Sequence, residues 1–191
     1  MGRTKAVSVT LALLGATLGM AAVPAAAGPL TATQATACPT GWGSGTKTDD
    51  AATTAPVTDI RAGRHACFDR LVVDIPGGGT VGYRVGYVDR LHQDGSGTPI
   101  PVGGGAVLEV RVAAPAYDPE TGAPTYPARA GQALPGVDLT GYRTFRDARF
   151  AGSFEGDTQI GLGVRARLPF RVTQLADRVV VDVAHNWTGA S

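Results

Sequence analysis

Short runs of alternating hydrophobic and polar residues dominate the chain from residue 57 onward. Strict alternation places hydrophobic side chains on one face of an extended strand and polar side chains on the other. The runs are rich in β-branched and aromatic residues and are bounded by turn residues, for example at 76–78 and 94–95. No run has a convincing helical period. The pattern therefore predicts an all-β fold in which antiparallel sheets share one core, as in a β-sandwich or a barrel.

The hydrophobic positions of these runs form the predicted core. They are Leu71, Val73, Ile75, Val85, Leu108, Val110, Ile160, Leu162, Val164, Val179, Val181 and Val183. All of them are expected to be buried.

Two of the runs are near copies of each other. Residues 69–75 read DRLVVDI, and residues 177–183 read DRVVVDV. Equivalent strands in two related sheets, or two paired neighbours, would produce such a repeat. Within each copy the charged residues are expected to face solvent as ion pairs, Arg70 with Asp74 in the first copy. Such exposed pairs contribute less than about 1 kcal/mol each.

The segment 115–141 interrupts the alternation, because it is rich in Pro and Gly. A connection of this length inside a compact domain is usually either functional or mobile. Tyr117 and Tyr126 lie within it. The favoured interpretation is that these tyrosines anchor the loop on the sheet. The alternative, that they offer stacking surfaces to a ligand, stays open.

Three arginines form the most suggestive candidate for a binding site. Arg165, Arg167 and Arg171 all stand at odd positions, so they share one face if the strand bends only at the proline between them. Gly161 and Gly163 would leave that face open. A planar guanidinium suits carboxylate or phosphate. The expected site is this face, edged by the two loop tyrosines.

The arginines also have a structural interpretation. They could pair across strands with the aspartates of the two repeated runs, which include Asp69, Asp74 and Asp182. Charge-paired arginines would then hold the sheet together instead of contacting a ligand.

Composition narrows the range of functions. The chain has 191 residues, with 27 Gly and 13 Pro, and a formal net charge of +1. So much Gly and Pro disfavours a helical bundle. A nearly neutral chain lacks the basic stripe that nucleic-acid binding normally needs, so no nucleic-acid partner is expected.

Catalysis and metal binding find little support in the residues. The histidines are His65, His92 and His185, and none belongs to an H-E-x-x-H motif. Neither Ser96 nor Ser153 lies in a G-x-S-x-G nucleophile elbow. We therefore expect no enzyme, no cofactor and no metal. A triad or carboxylate pair that assembles only in space remains the alternative.

The first 27 residues have the features of a secretory signal peptide. Arg3 and Lys5 precede a short apolar run, and the small residues 25–27 predict cleavage after Ala27. An uncleaved membrane anchor is the alternative. Removing the peptide leaves 15 basic against 16 acidic residues, a net charge of −1. The remaining chain has no apolar run long enough to span a membrane, so a secreted product is expected.

Two cysteines, Cys38 and Cys67, follow the predicted signal peptide. An even pair in an exported protein favours a disulfide. Free thiols and a metal site are the alternatives. The bridge would tether a flexible N-terminal arm, predicted over residues 28–56, to the start of the strand region.

A family resemblance rests on five segments. They are 63–72 (GRHACFDRLV), 82–85 (GYRV), 152–156 (GSFEG), 168–172 (LPFRV) and 179–183 (VVVDV). Together they resemble the AMIN-like domain of exported actinobacterial proteins, over residues 57–187, with 188–191 as a tail. The resemblance implies a β-sandwich of two similar sheets.

The same resemblance implies a function in the cell envelope. It predicts a non-catalytic module that binds peptidoglycan or another cell-wall component, and it supplies no catalytic residues. The expected partner is a cell-wall glycan or an envelope protein. A secreted structural or protein-interaction domain is the main alternative, and a hydrolase is the other.

Overall fold

The computed structural model describes Cys38 and residues 41–187. The predicted signal peptide, its cleavage site and the tail 188–191 lie outside the described residues. In the described part of the chain, every regular element is a β-strand. That part contains no helix long and apolar enough to cross a membrane.

The described residues form eleven strands. They are β1 (Lys47–Asp49), β2 (Asp59–Arg64), β3 (Phe68–Asp74), β4 (Tyr83–Val88), β5 (Leu91–His92), β6 (Pro99–Ile100), β7 (Ala106–Val112), β8 (Phe145–Phe154), β9 (Asp157–Val164), β10 (Phe170–Leu175) and β11 (Arg178–Ala184).

These strands form two main antiparallel sheets. The larger sheet has the order β1-β4-β7-β9-β8, and the smaller has the order β10-β11-β3-β2. A separate hairpin pairs β5 with β6. Side chains from both main sheets meet in one hydrophobic core, for example Leu71 and Val181 from the smaller sheet with Leu108 and Ile160 from the larger. The predicted β-sandwich is therefore confirmed.

The core contains the residues that alternation assigned to it. All twelve of the hydrophobic positions named above are fully buried. Phe145 and Phe170, at the starts of β8 and β10, are also buried in the same cluster. Period-two alternation therefore identified the inward face of each main strand correctly.

The two repeated runs lie side by side as β3 and β11. Their antiparallel register sets Leu71 opposite Val181, and Arg70 opposite Asp182. Of the two arrangements that the repeat allowed, the structure has the paired neighbours. Each copy places its arginine beside the aspartate of the other copy.

The pairs expected within the copies, Arg70 with Asp74 and its counterpart in the second copy, are replaced by pairs between the copies, and Arg178 also pairs with its neighbour Asp177. Arg70 donates to both carboxylate oxygens of Asp182, at 2.6 and 2.9 Å. Arg178 lies 3.7 Å from Asp74. The predicted partners are wrong because the antiparallel register sets each arginine opposite the aspartate of the other copy, and the Arg70–Asp182 pair does not face solvent because Asp182 is fully buried.

The segment 115–141 packs along the free edge of β8. Backbone N–H groups of Gly131 and Leu134 donate to β8 carbonyls at 2.8 and 3.1 Å, and Phe150 N–H donates back to Gln132 at 3.0 Å. Leu134 is 3% exposed and belongs to the core. The loop thus covers a sheet edge that would otherwise be open to pairing with another chain.

The β5–β6 hairpin covers part of β9. A side chain at Gly161 would collide with Leu91, and one at Gly163 would collide with the carbonyl oxygen of Gly103. The expectation that these glycines leave an open binding face is wrong. They are small because another part of the chain packs directly on them.

Cys38 and Cys67 form the predicted disulfide, with their Cα atoms 5.3 Å apart. The bridge links the N-terminal region to the residue before β3. Within the range predicted to be a flexible arm, β1 adds an edge strand to the larger sheet by pairing with β4. The sheet therefore begins ten residues before the alternating pattern becomes regular at residue 57.

Candidate functional site

The three candidate arginines lie on two different surfaces. β9 ends at Val164 and β10 begins at Phe170, so Arg165 and Arg167 lie in the connecting turn. Arg171 lies on β10 itself. The turn is in contact with the segment that follows β11. We call the residues Arg165, Arg167 and 185–187 the turn surface.

Arg165 fastens the two parts of the turn surface together. Its Nη2 donates to the carbonyl oxygen of His185 and lies 3.4 Å from Oδ1 of Asn186. The residue as a whole is exposed. Its guanidinium therefore has donors left for a ligand while one nitrogen fixes the segment after β11.

Arg167 lies over an aromatic ring. Its guanidinium carbon is 5.1 Å from the ring centroid of Tyr87. The Tyr87 hydroxyl donates to the carbonyl of Leu168 at 2.7 Å and accepts from the Leu168 N–H at 2.9 Å. Burial raises the pKa of Tyr87 to about 12, against a smaller lowering by the Leu168 hydrogen bond. The protonated phenol thus holds the turn in place, and the ring supports the arginine.

Trp187 completes this surface, and it was not among the binding residues predicted from the sequence. Its side chain is 57% exposed. Its Nε1–H donates to the carbonyl oxygen of Arg167 at 3.0 Å. The hydrogen bond therefore fixes the edge of the indole, while more than half of the residue stays exposed. One feature of the sequence could have identified it: the chain has only two tryptophans, and one of them comes just after the last alternating run.

A groove of about 440 Å³ adjoins the turn. Its lining includes Tyr87, Asp89 and Arg167, together with the backbone of Gly104 and Gly105. The groove combines an aromatic ring, a cation and a carboxylate. Such a lining can contact both sugar hydroxyls and acidic groups.

Arg171 takes part in a different set of contacts. It donates to Asp182 at 2.9 Å, and its guanidinium carbon lies 4.6 Å from the ring centroid of Trp42 and 5.5 Å from that of Phe68. Arg70 holds the other side of the same carboxylate. We call these five residues the aromatic–arginine cluster. Arg171 thus has the structural role that the sequence analysis left open, pairing with an aspartate across strands.

The two loop tyrosines occupy other positions. Tyr126 is 3% exposed, packs against Phe150 and donates its hydroxyl to the carbonyl of Pro135 at 3.2 Å. Burial raises its pKa above the ordinary tyrosine value. Tyr117 is partly buried and forms a β-bridge with Pro124. Tyr126 therefore anchors the loop, and its ring has no open face for stacking.

A small cavity of about 80 Å³ lies next to the disulfide. Besides the two cysteines, its lining includes Ala66, Arg143, Ala184, His185 and Asn186. Two of these residues, His185 and Asn186, also belong to the turn surface. The cavity and the exposed Trp187 are thus joined by one short stretch of chain.

A buried carboxylate orients His185 at this cavity. The Nε2 atom of His185 lies 3.1 Å from Oδ1 of Asp69. The other oxygen of Asp69 accepts the backbone N–H groups of Thr144 and Phe145, at 2.6 and 3.0 Å. This carboxylate therefore ties β3 to the start of β8 in the opposite sheet.

The described residues place no group of three or more His, Cys, Asp or Glu where a metal ion could be held. Both cysteines of the sequence are in the disulfide. The arrangement at the turn surface is instead one of cations, an aromatic face and hydrogen-bond donors, which together suit binding.

Comparison with known proteins supplies one positive finding. A family model described as the AMIN-like domain matches residues 55–185. No curated protein and no solved structure matches the chain. The matched region contains ten of the eleven described strands, β2 to β11. The chain therefore belongs to the AMIN-like domain family, which indicates in general a binding domain associated with the cell envelope.

Proposed function

We propose that this protein is an exported, non-catalytic module that binds peptidoglycan or a related cell-wall polymer through the turn surface. The observation that carries the proposal is the exposed indole of Trp187, which is held by its hydrogen bond to Arg167 beside two exposed arginines. Family membership supports an envelope role. The predicted signal peptide supports export.

The chemistry of the turn surface matches that of the proposed polymer. Sugar rings have apolar faces that pack on an indole, and peptide stems carry carboxylates that pair with guanidinium groups. Arg165 and Arg167 are both exposed, so their pairing with an acidic polymer is screened by salt. Binding is therefore expected to weaken as ionic strength rises.

The test is retention of the secreted protein on purified sacculi from which bound proteins have been stripped. Trp187→Ala is expected to lower retention about fivefold, since an aromatic contact contributes on the order of 1 kcal/mol beyond its buried area. Phe154→Ala is the matched control. Phe154 is an aromatic residue that is 47% exposed, and it precedes β9 whereas the turn surface follows β9.

Three results would count against the proposal. If the wild type is not retained, the chain does not bind the polymer. If Trp187→Ala and Phe154→Ala have equal effects, the site lies elsewhere. If the wild type binds only sacculi that still carry their proteins, the chain is a protein-interaction domain.

A further inference from the structure

A second groove adjoins the one at the turn surface. It has a volume of about 310 Å³ and lies beside the β5–β6 hairpin. Three residues, Asp89, Val102 and Val107, line both grooves. We call the two together the hairpin groove, which is lined by residues 87–91, 99–102 and 104–107 and by Arg167. Because Arg167 also belongs to the turn surface, a polymer bound at that surface can continue into this groove.

The charged residues of the hairpin groove alternate in sign. Arg167 lines the first part of the groove, Asp89 lines both parts, and Arg90 lines the second part. All three residues are exposed. Within residues 41–187, neither Asp89 nor Arg90 takes part in an ion pair. The groove therefore presents a cation, an anion and a cation in series, and a ligand of complementary charge carries one ammonium between two carboxylates.

The rest of the lining beside the hairpin is aliphatic. It consists of Leu91, Pro99, Ile100, Pro101, Val102 and Val107. Of the described residues that line this part, none is aromatic, and only Asp89 and Arg90 are charged. A sugar ring pressed against such a lining would leave hydroxyl groups without hydrogen-bond partners, which is unfavourable. Short apolar side chains bury no polar group there and gain from contact with the aliphatic residues.

We infer that the hairpin groove binds the peptide stems of the cell-wall polymer and not its glycan. The stem recognised here is a short peptide with alanine side chains, in which the free ammonium of a diamino acid lies between two carboxylates. The ammonium pairs with Asp89, the carboxylates pair with Arg167 and Arg90, and the alanine methyl groups pack on the aliphatic lining. The inference rests on the proposed function, which places the sugar rings of the same polymer at Trp187.

The probe is an acetylated tetrapeptide of alanine, γ-linked D-glutamate, lysine and D-alanine, titrated into the full disulfide-bonded protein and followed by NMR. In the comparison peptide norleucine replaces the lysine, which removes the ammonium and keeps the aliphatic carbons. The lysine peptide is expected to bind about fivefold more tightly, as for one exposed ion pair. Its chemical-shift changes are expected at residues 87–91 and 99–107. Equal affinity for the two peptides, or no binding of either, would overturn the inference.

Variants locate the preference in the hairpin groove. Asp89→Asn keeps the size of an exposed side chain and removes its charge, so the preference for the lysine peptide should disappear while the fold persists. Asp50→Asn is the matched control, at an exposed aspartate that lines a separate groove beside Tyr83, and it should keep the preference. Arg90→Ala should weaken binding of the lysine peptide about fivefold. Arg129→Ala, at an exposed arginine of the segment 115–141, should leave it unchanged.

The failure of this inference and the failure of the proposed function are distinguishable. Retention on sacculi without a preference for the lysine peptide leaves the proposed function standing and removes the stem site. A protein that neither is retained on sacculi nor binds the peptides removes both. If Asp89→Asn and Asp50→Asn have equal effects, the ammonium is recognised elsewhere and the stem site is again removed. If glycan strands freed of their stems shift the groove resonances and the lysine peptide does not, the groove binds sugar and the inference is wrong.

Discussion

The turn surface and the aromatic–arginine cluster both contain arginines, but the arginines have different roles in the two regions. Arg171 lies on a strand, where the antiparallel register sets it opposite Asp182, a fully buried carboxylate. Arg165 and Arg167 lie four to six residues earlier, in a turn, and their guanidinium groups contact a backbone carbonyl, an amide oxygen and an aromatic ring. An arginine on a strand thus becomes part of the sheet, while one in the adjoining turn keeps donors for a ligand.

The largest expected effect follows from removing the disulfide next to the cluster. Replacing both Cys38 and Cys67 by Ser removes a bridge between residues 29 apart in sequence. On the loop-entropy model this lowers the free energy of unfolding by about 3.5 kcal/mol. The melting temperature should fall by roughly 10 °C for a domain of this size, and the β spectrum should persist because the strands supply the core.

NMR of the two indoles separates the two regions in that variant. Trp42 comes four residues after Cys38, so the environment of its indole should change. Trp187 should keep its hydrogen bond to Arg167. The reduced wild type is the control and should match the variant. Equal disturbance of both indoles would mean that the regions are not independent.

A second change removes Asp182, the buried carboxylate at the centre of the cluster. Asp182→Ala leaves Arg70 and Arg171 without their shared carboxylate, and both are partly solvent-exposed. Loss of one partner of a buried ion pair costs about 3–5 kcal/mol, so with this exposure we expect about 2–3 kcal/mol in urea unfolding.

Asp177→Ala is the matched comparison for that change. Asp177 is the counterpart of Asp69 in the second repeat and pairs with its neighbour Arg178 at the surface. Its removal should change stability little. Similar effects of the two substitutions would show that the cluster is no more structural than an ordinary surface pair.

The smallest expected effect comes from replacing the arginines of the two regions. Arg171→Ala should cost about 1 kcal/mol of stability, while the double change Arg165→Ala with Arg167→Ala should cost less than about 0.5 kcal/mol. Retention on sacculi should show the reverse order, with loss only for the double variant. Loss of retention for Arg171→Ala in a folded protein would place the binding surface on the β10 face instead.

Alternation predicted the strands and the core well, because it records directly which side of a strand is buried. It also extended the β9 pattern too far. Residues 162–168 keep alternating after the strand ends at Val164, since the turn happens to continue the same order of polar and apolar residues. Nothing local in the sequence marks the change of direction before Pro169.

The remaining errors have a related cause. Gly161 and Gly163 show that side chains are missing from one face of β9, but only the fold reveals that the β5–β6 hairpin fills the space. Trp187 was overlooked as a candidate binding residue because it follows the last regular run. Its position depends on a hydrogen bond to a residue 20 positions away, which no local period records.

The disulfide also determines how the domain transmits a mechanical load. A pull that enters the chain at Cys38 passes through the bridge to Cys67, so the intervening residues, with β1 and β2, are shielded from tension. Cys67 in turn accepts a hydrogen bond from His185 at 2.9 Å, where the chain leaves β11. Tension between Cys38 and the end of β11 is therefore borne where β3 begins and β11 ends. The larger sheet lies outside that path.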